Sequence, residues 1–137
     1  MKRSIKQTLA RVGVAVVATA GAVVAVPSVA QAADYNGACG SGYRVVDSMS
    51  LKGGTAFLTY NSSTGQNCAV TVRDSPGSPV YVLASISLAT GGNPWYKDGD
   101  YYGSYAGPVY VHAPGQCIDW IAQIEWDSAQ QLDSHCG

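Results

Sequence analysis

Apolar and polar residues alternate with a period of two over most of the chain beyond residue 43, which is the pattern of half-buried strands. Tyr43 to Leu51 puts Tyr43, Val45, Met49 and Leu51 on one face, and "KGGT" then turns the chain at Gly53-Gly54, which can take the positive φ of a tight hairpin. Thr55 to Asn61 is the second strand, "SSTGQN" a polar loop, and Cys68 to Asp74 the third strand, with Val70 and Val72 opposite Thr71 and Arg73. "SPGSP" (75–79) interrupts the pattern. Between Val80 and Leu88 the apolar positions are Val80, Val82, Ala84, Ile86 and Leu88, against Ser85 and Ser87. "WYKDGDYYGSYAG" is the least regular stretch and reads as a hairpin or long loop. Val109 to His112 and Cys117 to Trp126 complete the strands.

The segment Tyr105 to Trp126 holds a His, a Cys, an Asp, a Glu and two Trp, which invites an active-site reading. Alternation gives a plainer one. Ile118, Trp120, Ala122, Ile124 and Trp126 alternate against Cys117, Asp119, Gln123 and Glu125, and Val109 and Val111 alternate against Tyr110 and His112. A turn at Pro114-Gly115 would pair the two runs as a hairpin. Val111 would then face Ile118, Val109 would face Trp120, and His112 would face Cys117, with apolar meeting apolar throughout. The expected fold is all-β, a small antiparallel β-sandwich or partly closed barrel of six to eight strands.

The N-terminus changes the picture of the chain as a whole. Lys2, Arg3, Lys6 and Arg11 precede an apolar run from Val12 to Val26, and Ala30-Gln31-Ala32 offers small residues at a cleavage site. That is a secretory signal peptide over 1–32, shorter in its apolar part than a membrane span. The expected product is one domain, 33–137, secreted and free of the membrane after cleavage. Its four remaining cations stand against nine acids, 4 − 9 = −5, with no basic cluster of the kind that binds nucleic acid.

Four cysteines, Cys39, Cys68, Cys117 and Cys136, all lie in the exported part and imply two disulfides. Cys39 before the first strand and Cys68 at the start of the third share one end of a three-strand meander. This favours Cys39–Cys68 with Cys117–Cys136 over a pairing that bridges the two halves. No C-x₂-C or H-x₃-H spacing supports a metal site, and no cofactor is implied.

The candidate chemistry is weak. His112 and Asp119 lack a nucleophile elbow or oxyanion hole, and His135 sits in a tail beside a half-cystine. Asp119 with Glu125, or Asp98 with Asp100, are pairs that nine scattered acids supply by chance. "DGD" (98–100) opens like a calcium loop, but Val109 stands where the closing Glu belongs. "NSS" at Asn61 matches a glycosylation sequon of low specificity. With no convergent polar constellation, no catalytic residue is expected. The aromatics say more: Trp95, Tyr96, Tyr101, Tyr102, Tyr105 and Tyr110 concentrate in the 95–110 region, and exposed Tyr and Trp suit a sugar or protein ligand.

The stretches "YNGACGSGYRVVDS", "GGTAFLTYNSSTGQNC" with "VTVR", and "YAGPVYVHAPGQCIDW" resemble the spore-associated protein A family of streptomycete-type actinobacteria, over about Tyr35 to Gly137. The resemblance implies a small exported protein of the cell or spore surface and brings no catalytic residue. The expected partner is a cell-wall or spore-surface component, glycan or protein. The alternative is a secreted carbohydrate- or protein-binding module, or an enzyme inhibitor, that works through the 95–110 aromatics.

Overall fold

The computed structural model describes residues 32–137; the expected signal peptide lies outside the described residues. Eight strands form two antiparallel four-stranded sheets. The first sheet has the order β1-β2-β3-β6, with β1 Arg44–Leu51, β2 Gly54–Asn61, β3 Gln66–Arg73 and β6 Tyr105–His112. The second has the order β5-β4-β7-β8, with β4 Val80–Leu88, β5 Tyr96–Tyr102, β7 Ile118–Ile124 and β8 Asp127–Ser134. The sheets pack face to face, β6 lying over β4 and β5. The architecture is a sandwich, and no helix occurs among the described residues.

The core follows from the alternation. Met49, Leu51, Ala56, Leu58, Ala69, Val109 and Val111 point inward from the first sheet; Val82, Ala84, Ile86, Ile118, Trp120, Ala122 and Ile124 point inward from the second. Trp120, Leu58, Ile86, Ile118 and Val82 are fully buried, and the Trp120 indole N–H donates to Gln131 Oε1 at 3.3 Å. Burying such side chains contributes about 1.5–3 kcal/mol each.

The expected hairpin of Val109–His112 with Cys117–Trp126 does not form. β6 pairs with β3 and β7 with β4 and β8, so the chain arches from one sheet to the other through Pro114-Gly115. Alternation specifies which side of a strand is buried but not which strand lies beside it. Val109 and Val111 share one core cluster with the apolar side of β7, but β6 lies over β4 and β5 across the sandwich. Trp126 is also misplaced by alternation: β7 ends at Ile124, and Trp126 is 97% exposed at the tip of the next turn.

Two edge strands carry little alternation. The irregular stretch is neither a hairpin nor a long loop: β5 (YKDGDYY) and the start of β6 occupy it and lie in different sheets, and β8 (DSAQQLDS) was not expected as a strand. Charged and polar residues are how sheet edges avoid further pairing, which removes the apolar signal a sequence reading depends on. Asp98 ties β5 to the other sheet: it accepts from the Tyr102 hydroxyl and, at 2.8 Å, from Gly107 N–H.

The outer side of the first sheet is covered. Cys39 is bonded to Cys68, with Cα atoms 6.1 Å apart, and Tyr35, Ala38 and Tyr43 pack with Val70 and Val72 beneath them. Tyr110 joins this layer, edge-tilted against Tyr43 at 5.7 Å and donating to Cys39 O at 3.0 Å. The segment before β1 is therefore a strap across the first sheet. Cys117 is bonded to Cys136 and fastens the tail beyond β8.

Candidate functional site

The outer side of the second sheet carries no comparable strap among the described residues. Residues paired across antiparallel strands share a face, so the register lays that surface out in rows. One row runs Gly99, Leu83, Gln123, Ser128 and the next Lys97, Ser85, Ile121, Gln130. Beyond Ser85, the β4–β5 loop closes over Ser87, whose hydroxyl donates to Pro94 O at 2.9 Å. At the opposite end Tyr101 stands beside Tyr81, and the β7–β8 turn completes an aromatic row with Trp126.

This row is built by backbone as much as by side chains. A Cβ at position 99 would lie 2.6 Å from Tyr81 Oη and 2.9 Å from Leu83 Cδ1, so the absence of a side chain at Gly99 lets Tyr81 lie across β5. Tyr101 meets the Tyr81 ring edge-on, with centroids 6.0 Å apart and an interplanar angle of 75°. Glu125 N–H donates to Tyr81 O at 2.8 Å, and Gln123 Nε2 donates to Glu125 O at 2.7 Å. The first bond pins the turn to β4, the second braces it against β7, and the indole of Trp126 is left in solvent.

The turn itself is unusual. Ile124 and Asp127 pair across it, so Glu125-Trp126 is a two-residue hairpin loop, and Glu125 has φ 52°. Such loops favour Asn-Gly or Gly-X because an L side chain at positive φ is strained. A Glu and a fully exposed Trp are poor choices for turn stability, and strain of this kind gathers at functional sites. With Pro79 and Val80, these residues line a cleft of about 260 Å³ whose one charged side chain is Glu125. It is smaller than the ~300–1,000 Å³ of sites that engulf a small molecule. A ligand laid across the surface fits it better.

The six aromatics expected to act together are dispersed. Tyr101 belongs to the row just described and is 68% exposed. Tyr102 points the other way, toward Asp98, whose hydrogen bond and charge, with burial and Asp100, push the phenol up to about 12. Trp95 and Tyr96 are exposed at the far end of β5, Tyr96 opposite Ile86. Tyr105 and Tyr110 lie on β6 in the other sheet, and burial, then Tyr43 and Tyr35, raise the Tyr110 hydroxyl. Tyr81 and Trp126 complete the row and were not among the expected binding residues. Tyr81 reads as part of a buried strand, and Trp126 continues an inward alternation.

The polar candidates also separate. His112 ends β6 opposite Gln66, whereas Asp119 is on β7 in the other sheet and accepts from Asp133 N–H at 2.7 Å. Asp98 spends both oxygens on Tyr102 and Gly107, and Asp100 accepts from Tyr101 N–H at 2.8 Å. His135 Nε2 lies 2.8 Å from Asp47 Oδ2, joining the tail to β1. Burial works against the charged form of Asp47, but bonds from His135, Ser48 N–H and Gln131 outweigh it and hold the carboxyl below its usual range. A second cleft of about 370 Å³ includes Arg44, Tyr60, Asn67 and His135. Its polar groups are partly committed, His135 to Asp47 and Asn67 to Thr59 O at 3.2 Å.

Comparison with known proteins adds the family. No family model matches the chain, and no solved structure matches it. Spore-associated protein A of Streptomyces coelicolor is 47% identical over 124 residues, covering 86% of this chain and 80% of that protein. At that identity and coverage the relationship is one of common descent, and the chain belongs to the spore-associated protein A family.

Proposed function

We propose that the protein is exported, without enzymatic activity, and held at the cell or spore surface by its second sheet. The observation that carries this is the aromatic row Tyr101, Tyr81 and Trp126, displayed on the side of the sandwich that the strap leaves open. The leader-like residues 1–32 and the two disulfides fit an oxidising compartment outside the cytoplasm. The name of the Streptomyces coelicolor relative supports spores as the place. A non-catalytic role agrees with the dispersal of His112, Asp119 and the paired carboxylates into separate structural hydrogen bonds.

The test is retention of the oxidised protein on washed hyphal and spore walls. Saturable retention, weakened by Tyr101→Ala or Trp126→Ala, is the expected result. No retention on either wall would leave a freely soluble secreted protein and overturn the proposal. Hydrolysis of wall material that is lost with His112→Ala would equally overturn its non-enzymatic part.

A further inference from the structure

The open face has a chemistry that narrows its ligand. Rings at one end offer apolar surface, and the rows beside them offer the amides and hydroxyl of Gln123, Ser128 and Gln130, which hydrogen-bond without charge, around Leu83 and Ile121, with Lys97 at the edge of the second row. Along the aromatic row the only charged side chain is the carboxylate of Glu125, in a domain whose four cations are far outnumbered by acids. An anionic polymer would meet repulsion and no compensating cation in the cleft.

We infer that the row Tyr101, Tyr81 and Trp126 binds a neutral glycan chain, its sugar rings stacking on the aromatics and its hydroxyls bonding to Gln123 and the Glu125 carboxylate. This rests on the surface-binding reading above and names its ligand class. β-Linked pyranosides with equatorial hydroxyls fit best, because both ring faces then present C–H bonds and can lie flat on an aromatic, as apolar groups do. Tyr101, Tyr81 and the turn occupy three adjacent strand positions and span roughly 10 Å at the usual strand spacing. A short run of sugars is therefore engaged, and not a single chain end in a pocket.

The row is also preorganised. Glu125 is pinned through its N–H and its carbonyl, and Tyr81 rests where Gly99 makes room, so little ordering is left for binding. Two variants separate contact from positioning. Trp126→Ala removes a stacking surface. Gly99→Val leaves all three rings present but drives a side chain into the space that Tyr81 occupies.

The experiment titrates the oxidised protein with cellotetraose and tetra-N-acetylchitotetraose, with polygalacturonate as the anionic control, following indole and backbone amide resonances by NMR. The expected result is saturable shifts of the Trp126 indole and the Tyr81 and Tyr101 amides with at least one neutral probe, and none with polygalacturonate. Trp126→Ala and Gly99→Val should each weaken binding about tenfold or more while the spectrum stays folded. Protein retained on walls but unmoved by either neutral probe would overturn the glycan inference and leave surface association standing, with a protein partner. Shifts with polygalacturonate would overturn the charge argument. No wall retention and no shifts would remove both.

Discussion

Trp120 and Trp126 are six positions apart and have opposite roles. Trp120 is sealed in the core with its N–H satisfied by Gln131, so Trp120→Ala is expected to cost about 3–5 kcal/mol in a denaturant melt. Trp126 touches little, and Trp126→Ala should change stability by less than about 0.5 kcal/mol in the same melt. Tyr102 gives a third test. Its hydroxyl is held protonated to about 12 by Asp98, above the ~10 of an unfolded tyrosine. The stability it contributes is complete below about pH 10 and is lost as pH rises toward that folded value. Asp98→Asn should lower the phenol in a spectrophotometric titration and shift the alkaline unfolding curve. Alternation identified Trp120 as core, but parity loses its meaning where a strand stops. The turn at Glu125-Trp126 contains no Gly, Asn or Pro to announce it.

At the scale of elements, the strands with strong alternation, β2 to β4 and β7, were legible, because one buried face imposes a period of two. β1 was legible only from Met49 to Leu51, because a bulge between Val45 and Asp47 shifts the parity, leaving Val45 exposed, Val46 against the core and Tyr43 in the outer layer. The edge strands β5 and β8 were not, since their charged and polar residues answer to edge protection and not to the core. The arch between β6 and β7 was unreadable for a different reason: apolar faces meet equally well side by side or across a sandwich. The strap depends on its cross-link. Replacing Cys39 and Cys68 together by Ser should cost roughly 3–4 kcal/mol, by the loop-closure estimate for a bridge spanning 29 residues. Amides of 35–43 should then exchange faster by hydrogen-exchange mass spectrometry, while those of β4 and β7 keep their protection. Equal loss in both sheets would show that the strap is integral to the core instead of laid upon it.

For the whole molecule, the two sheets are joined at one end by His135 and Asp47, where the tail beyond β8 reaches β1. Because the Asp47 carboxyl is held below its unfolded value, its contribution is present at neutral pH. It fades as pH falls below about 4, the unfolded carboxylate range. Asp47→Asn should flatten that acid limb of the stability curve, and a limb unchanged by the substitution would contradict the assignment. With one broad side covered by the strap, the proposed surface binding falls to the other side. The most direct measurement compares wall retention of the wild-type protein with that of Trp126→Ala, both with intact disulfides. The account predicts saturable retention of the first and a loss of about tenfold or more in the second, at unchanged stability. Equal retention of the two would contradict it and move the binding surface elsewhere on the molecule.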